Sequence, residues 1–263
     1  AKIMSATQIE VNNNGTKDII NTNKIIIATG SEPSSLPNIN IDEKIIVTST
    51  GALELKAVPK KMTVIGGGVI GLEMGTIWRR LGAEVEVIEY LPRILPGMDS
   101  EIAEKFMKIL QKQGIKFKLG HSVETAKTDN DKVKLTIKDV INGNIEKLES
   151  DVVLVAVGRK PNTNGLGLKE LGLEIDKHGF INTNSNFETS VTNIYAIGDV
   201  NTYPGKLKLI LCGFHEATLM CQSAYKRIHP NKKYVMKYTT VGGVEGFDGS
   251  KKEAPKAVVK KIE

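Results

Sequence analysis

Three glycines in one short segment carry the strongest chemical signal in the sequence. Gly66, Gly68 and Gly71 form the pattern G-x-G-x-x-G, directly after a β-branched run and directly before a segment with helical periodicity. The first glycine permits a tight turn, the second lets the backbone approach a pyrophosphate, and the third allows close packing of helix on strand. The N–H groups and positive dipole end of that helix would face the phosphates. The pattern predicts a dinucleotide-binding turn that comprises Gly66, Gly67, Gly68, Val69, Ile70, Gly71 and Leu72.

An acidic residue lies at the spacing that such a turn requires. The predicted strand Glu84–Glu89 ends in Glu89, 23 residues beyond Gly66, close to the distance of about 20 residues expected for a ribose-binding acid. Its carboxylate would accept hydrogen bonds from ribose hydroxyls and repel a 2′-phosphate, which favours NAD(H) over NADP(H). The alternative is a tight strand–helix turn followed by an ordinary solvated Glu89. Glu73, placed in the first helical turn, either complements the helix dipole or points toward a second cofactor.

The elements that must position these residues follow from hydrophobic patterning. Continuous apolar runs at residues 24–29, 62–65, 152–157 and 194–197 predict strands buried on both faces, as in parallel sheets. Helical periodicity over Val69–Leu81 and residues 100–113 predicts helices between them, and this alternation indicates an α/β fold. The second helix would start at Asp99 or Ser100 as N-cap and stop at Gly114. We expect its apolar side to comprise Ile102, Phe106, Ile109 and Leu110.

One stretch departs from the strand–helix alternation. Residues 122–154 contain an alternating segment at Val133, Leu135 and Ile137, followed by the turn sequence 142–144. This pattern predicts a small antiparallel meander attached to the parallel unit. Prolines and glycines suggest chain crossings at roughly 47–60 and 161–167.

Composition limits the remaining function classes. The chain has 263 residues, a net charge of +6 and two cysteines, too few for a disulfide scaffold or a four-cysteine zinc site, and we predict no metal site. The apolar runs are too short to cross a membrane, and we expect no membrane partner. No basic stripe with interleaved aromatics is present, so we expect no nucleic acid. Without a secretion-like N-terminal segment, the predicted location is cytoplasmic.

Four motifs together indicate a family. They are IATGSEP at residues 27–33, the glycine motif at 65–73, VGRKPNT at 157–163 and IYAIGDV at 194–200. Their order and spacing resemble the FAD-dependent pyridine nucleotide-disulfide oxidoreductases, most closely the dihydrolipoamide dehydrogenases. The resemblance extends from about residue 2 to residue 200.

The resemblance implies a doubly wound, Rossmann-like FAD/NAD(P)-binding fold, in which an NAD domain is inserted into an incomplete FAD domain. The predicted limits are 1–58 for a partial FAD-binding domain and linker, 59–164 for the NAD-binding domain, 165–235 for the returning FAD-binding part, and 236–263 for a tail. From its lysine-rich, proline-containing composition, we expect the stretch from about Lys232 onward to be poorly ordered. The resemblance places Val123 on the adenine side of NAD and Gly158 at its nicotinamide end. On the FAD side, it places Thr29, Gly30 and Ser31 near the flavin nucleotide and Asp199 on a ribityl hydroxyl.

The sequence also departs from this family. The family's N-terminal Rossmann motif for FAD, its cysteine pair separated by four residues, and its C-terminal His–Glu pair have no match here. Cys212 and Cys221 would lie about 13 Å apart on a helix, too far for a disulfide, and we expect both to be small buried residues. We expect His215 to lie on the surface and assign no catalytic role to His215 or Glu216. Residues 206–217 and 238–240 instead resemble thioredoxin-reductase-like ferredoxin–NADP reductases, with a helix starting near Phe214.

The resemblance implies an enzyme that transfers hydride between FAD and NAD(H), as an NAD-dependent dihydrolipoyl dehydrogenase-like oxidoreductase. Because the dithiol and the His–Glu pair are missing, we expect a truncated or rearranged chain that is catalytically incomplete in isolation. One alternative is a ferredoxin–NAD(P) reductase-like diaphorase, and another is a non-catalytic NAD-binding module. The resemblance also implies a homodimer or a 2-oxoacid dehydrogenase complex as partner.

Overall fold

The computed structural model describes residues 1–232 and Tyr234. The strands are β1 (Lys2–Ser5), β2 (Gln8–Asn13), β3 (Thr16–Asn21), β4 (Ile25–Ile27), β5 (Ser31–Pro33), β6 (Ile46–Val47), β7 (Lys61–Ile65), β8 (Glu84–Glu89), β9 (Lys116–Leu119), β10 (His121–Asp129), β11 (Lys132–Asp139), β12 (Ile145–Ser150), β13 (Val152–Val155), β14 (Arg159–Pro161), β15 (Ile181–Asn182), β16 (Ile194–Ala196) and β17 (Asn201–Thr202). The helices are α1 (Ser49–Glu54), α2 (Val69–Leu81), α3 (Ser100–Lys112) and α4 (Ile210–Ile228), with a 3₁₀ turn at Gly198–Val200.

A five-stranded parallel sheet holds the glycine motif. Its order is β6-β13-β7-β8-β9, and every neighbouring pair is parallel. The four residues of β13 and four of the five in β7 are buried, because α2 and the meander cover the sheet from its two faces. Leu72 and Trp78 of α2 pack on Val64 and Val85 in one continuous core. The predicted α/β parallel sheet is confirmed.

The predicted meander is also present. Strands β10, β11 and β12 pair antiparallel, and Gly143 in the connecting turn has a φ of +75°. Val133 and Leu135 point into a second core with Ile65 and Val153 from the parallel sheet. The alternating pattern therefore arises because one face of the meander is buried against the sheet.

A smaller unit is formed by the two ends of the described chain. Strands β4 and β16 form a parallel pair, and β1–β3 form an antiparallel sheet beside it. A third core joins Ile25, Ile27 and Ile194. Burial of the 24–29 run on both faces was a wrong expectation, because Ile26 is 50% exposed on the free face of β4. The antiparallel ribbon β5–β14 connects this unit to the parallel sheet.

The helix limits agree closely with the patterning, but one helix face does not. Helix α2 spans the predicted residues, and Asp99 caps α3 by accepting from the N–H groups of residues 101 and 102. Gly114 follows the end of α3 with a φ of +89°. The predicted apolar side was wrong: of its four residues only Leu110 is buried, together with Ala103. The sheet packs against the adjacent face of α3, which leaves three apolar residues exposed: Ile102, Phe106 and Ile109.

The remaining expectations concern helix α4, its cysteines, the 47–60 stretch and the C-terminal tail. Helix α4 starts at Ile210 rather than near Phe214, and its cysteines are not buried, since Cys212 is intermediate and Cys221 exposed. The stretch predicted as a chain crossing at 47–60 contains α1 and the end of β6, which pairs with β13. The predicted tail at 236–263 lies outside the described residues. Among the described residues, no helix is long and apolar enough to cross a membrane.

Candidate functional site: a cavity at the end of the parallel sheet

The turn after β7 requires glycine at two of its three motif positions for packing reasons. Gly66 has a φ of +110°, and a Cβ there would lie 2.4 Å from the carbonyl oxygen of Ala156. A Cβ on Gly71 would lie 2.2 Å from the carbonyl oxygen of Gly66. Neither backbone oxygen can move aside as a flexible side chain would. These two glycines therefore bring α2 close against the strand it follows.

Gly68 differs from the other two, because a Cβ there would meet no atom within 4 Å. Its φ is −80°, an ordinary value, and it forms the N-cap of α2 without a side-chain capping bond. The space above Gly68 therefore adjoins the N–H groups at the start of α2, where an anion is favoured. The first turn of α2 contains no acidic residue, so the predicted placement of Glu73 there is wrong: Glu73 lies in the second turn and is exposed.

Glu89 is held at the edge of this space by two backbone donors. Its Oε2 accepts from the N–H of Gly67 at 2.6 Å, and its Oε1 accepts from the N–H of Leu91 at 2.8 Å. A carboxylate oxygen has two lone pairs, so each oxygen keeps acceptor capacity for a ligand hydroxyl. The two bonds fix the orientation of the group that the spacing rule singled out.

A cavity of about 580 Å³ opens between the glycine turn, the end of β8 and the segment after β13. Such a volume suits a small ligand or nucleotide. Of the residues predicted to bind NAD, seven line it: Gly66, Gly68, Val69, Ile70, Glu89, Val123 and Gly158. The other four do not line it. Gly67 faces Glu89, Gly71 packs on the turn, Leu72 is a core residue and Glu73 is exposed.

The cavity also contains residues that the sequence reasoning did not select. Arg159 and His121 line its wall, and Nδ1 of His121 lies 2.8 Å from the carbonyl oxygen of Leu119. The signal for Arg159 was present, since it belongs to the VGRKPNT motif beside Gly158. No local pattern marks His121, which reaches the cavity only because β10 lies over the sheet.

The residues predicted on the FAD side lie together, outside this cavity. The Ser31 hydroxyl donates to Oδ2 of Asp199 at 2.8 Å, although 168 residues separate them in sequence. The Thr29 hydroxyl donates to the carbonyl oxygen of Asn162 at 2.7 Å. Gly30 has a φ of +71°, and a Cβ on it would meet nothing within 4 Å. Asp199 lies in the 3₁₀ turn after β16, at the carboxyl end of a parallel strand, where ligand groups are expected in such sheets.

A buried ion pair supports that turn. Lys206 donates to Glu216, and the two side chains are 4% and 1% exposed. Oε2 of Glu216 accepts from the N–H of Gly198 at 2.7 Å, and the Tyr203 hydroxyl donates to its Oε1 at 2.8 Å. Burial and the bond to Glu216 raise the pKa of Tyr203 to about 12. The cluster joins the second turn of α4 to the backbone next to Asp199, whereas His215 is exposed, as expected.

These features define a class: a parallel α/β unit with a Rossmann-type glycine turn, joined by a two-stranded ribbon to a second, smaller unit. Comparison with protein families matches residues 1–225 to the family described as pyridine nucleotide-disulphide oxidoreductase. The chain belongs to this family, whose cofactors are FAD and NAD(H).

Individual relatives agree with this assignment. The chain is 51% identical over 201 residues to the mitochondrial dihydrolipoyl dehydrogenase of Dictyostelium discoideum, a match that covers 75% of this chain and 41% of that protein. It is 49% identical over 200 residues to the leghemoglobin reductase of Glycine max, covering 76% and 38%. The chain thus spans about two-fifths of the length of these curated relatives.

Among solved structures, the HOCl-induced flavoprotein disulfide reductase RclA of Escherichia coli is similar. The superposition has a TM-score of 0.74 at 26% identity and covers 89% of this chain and 50% of that chain. The resemblance to disulfide oxidoreductases and the FAD/NAD(P)-binding fold class are therefore confirmed.

Proposed function

We propose that the chain is the NAD(H)-binding part of a dihydrolipoyl dehydrogenase-type flavoenzyme. The observation that carries this proposal is the pairing of open space above Gly68 with the fixed carboxylate of Glu89 in one cavity. The pyrophosphate of the dinucleotide would lie against the start of α2, and the adenosine ribose hydroxyls would donate to Glu89. Val123 would contact the adenine side, and Gly158 the nicotinamide end.

The residues around Asp199 fit one end of a flavin nucleotide. Its Oδ1 accepts no hydrogen bond from the described residues, and space adjoins Gly30 and Gly198, where a Cβ would meet no atom within 4 Å. In the proposal, Asp199 accepts from a ribityl hydroxyl, and Thr29, Gly30 and Ser31 lie along the nucleotide. When bound, FAD supplies the hydride chemistry with NAD(H), and the protein supplies alignment.

The redox-active dithiol is the part of the chemistry that this chain's residues do not supply. Its only cysteines, Cys212 and Cys221, lie on α4, and both are free thiols without a sulfur partner. We infer that the isolated chain binds NAD(H) without turning over dihydrolipoamide. A homodimer, or a place in a 2-oxoacid dehydrogenase complex, belongs to the same proposal. So does the cytoplasmic location, which cell fractionation tests.

Binding and activity are measured separately on the purified chain. Titration of NADH, followed by its fluorescence, should show saturable binding, with NADPH bound at least about tenfold more weakly because Glu89 repels the 2′-phosphate. The chain is incubated with FAD and passed through gel filtration, and its absorbance then reports whether flavin is retained. Dihydrolipoamide-dependent reduction of NAD⁺ should be absent. Absence of NADH binding would refute the proposal, and dihydrolipoamide turnover would refute the inferred incompleteness. Ferricyanide reduction by NADH with retained flavin would favour the diaphorase alternative.

A further inference from the structure

Arg159 has a distinctive position at the cavity. Among the described residues that line the cavity, it is the only lysine or arginine, and Glu89 is the only carboxylate. The two charges belong to different walls, since Glu89 ends β8 and Arg159 begins β14 beside Gly158. A dinucleotide that contacts the ribose-binding acid at one wall brings its phosphates into the cavity that Arg159 also lines. Arginine is the side chain best suited to a phosphate, because its planar donors match the phosphate oxygens.

The guanidinium already has a partner outside the cavity. Its Nε donates to the Ser31 hydroxyl at 2.7 Å, and an Nη donates to the Ser31 carbonyl oxygen. The single proton of that hydroxyl is donated to Asp199. The Ser31 oxygen is thus polarised by a carboxylate on one side and faces a cation on the other. Such a chain of bonds is stronger than its separate members, because each bond polarises the next.

We propose that Arg159 is a dinucleotide-binding residue for which the ligand phosphates compete with the Ser31–Asp199 pair. The inference rests on the proposed NAD(H) site. The negative charge of Asp199 strengthens the bond from Arg159 to Ser31 and so holds the guanidinium back from the nucleotide. Removal of that charge frees Arg159 for the phosphates. Asp199 itself does not line the cavity, so a purely local role of Asp199 would leave NADH affinity unchanged.

A double-mutant cycle on the full chain tests the competition, with NADH fluorescence titration as readout. Arg159→Gln should weaken NADH binding about tenfold, because a charge-assisted contact is lost. Asp199→Asn should tighten binding about threefold to tenfold, within the range of coupling between groups that share a network. In the Arg159→Gln background, Asp199→Asn should have no effect. Ser31→Ala is a second perturbation, and it should also tighten binding because it removes the linking hydroxyl.

The outcomes separate this inference from the proposed function. If the unmodified chain does not bind NADH, the proposed function is overturned, and this inference with it. If the unmodified chain binds but Asp199→Asn and Ser31→Ala leave the affinity unchanged, only the competition is overturned. If Asp199→Asn tightens binding equally with and without Arg159, Asp199 acts as a remote charge, which also overturns it. Thermal melting of each variant identifies misfolded chains. If either Asp199→Asn or Ser31→Ala misfolds, the NADH affinity of the other variant tests the competition.

Discussion

Two alanine substitutions, three residues apart at the start of the same helix, should separate folding from binding. In Gly71→Ala, the new methyl would lie 2.2 Å from a backbone oxygen, with Val64 Cγ1 at 3.1 Å. Overpacking of this kind costs about 1–3 kcal/mol. In Gly68→Ala, the methyl meets no atom within 4 Å, and the φ of −80° suits alanine. The free energy of unfolding should then change by no more than about 0.5 kcal/mol.

For NADH binding we expect the opposite order, with the larger effect in Gly68→Ala. The Gly68 methyl would occupy the space that the pyrophosphate needs, so we expect NADH affinity to fall at least about tenfold, or 1.4 kcal/mol. Thermal melting and NADH fluorescence titration on both variants measure the two effects, and each variant is the other's control. A melting midpoint lowered by about 2–12 °C is expected for Gly71→Ala alone. The reasoning fails if Gly68→Ala keeps NADH affinity within twofold, or if it destabilises the chain more than Gly71→Ala does.

Three further substitutions address the acidic residues. Glu89→Ala should lose NADH affinity and gain NADPH affinity, and unchanged selectivity in fluorescence titrations would contradict the ribose assignment. Glu216→Gln should lower the free energy of unfolding by about 3 kcal/mol, because it leaves the charge of Lys206 buried without a partner charge. Adding Lys206→Met to this variant should restore part of the lost melting temperature. An unchanged melting temperature in Glu216→Gln would count against a stabilising ion pair. Although burial opposes it, bonding to backbone N–H groups of residues 44–46 lowers the pKa of Asp42. The Asp42 carboxylate should therefore stabilise the fold fully above pH 3.8, and this stabilisation should be lost as the pH falls through the lower pKa of the folded state. In Asp42→Asn, the melting temperature should thus fall less steeply with decreasing pH than in the unmodified chain. Equal pH dependence of the two melting temperatures would contradict this.

Local signals were enough for the parts of the site that lie close together in sequence. The turn from Gly66 to Gly71, helix α2 and the strand ending in Glu89 form one continuous segment, and their limits agree with the patterning. Such a unit is predictable because a strand, a tight turn and a helix impose their own residue types on neighbouring positions. The meander was predictable for the same reason, since its alternation has a period of two.

Patterning did not show which of several apolar faces would be covered. Ile102, Phe106 and Ile109 form a helical stripe as regular as the buried one, yet the sheet packs against Ala103 and Leu110. Ile26 lies in a β-branched run but faces outward, and Cys221 lies on the exposed side of α4. Periodicity identifies an apolar face, but only the neighbouring elements determine whether that face is buried.

The sequence by itself determined the fold class, the glycine turn after β7 and the position of the acid beside it, because these depend on backbone geometry and short spacings. The tertiary structure alone decided which predicted residues share a cavity, and it added the contacts across long separations. Arg159 meets Ser31 and Asp199 only through the pairing of β5 with β14 and of β4 with β16. Glu216 is buried beside Gly198 only because α4 packs there. Such contacts leave no periodic trace in the sequence, since they arise where separate segments meet.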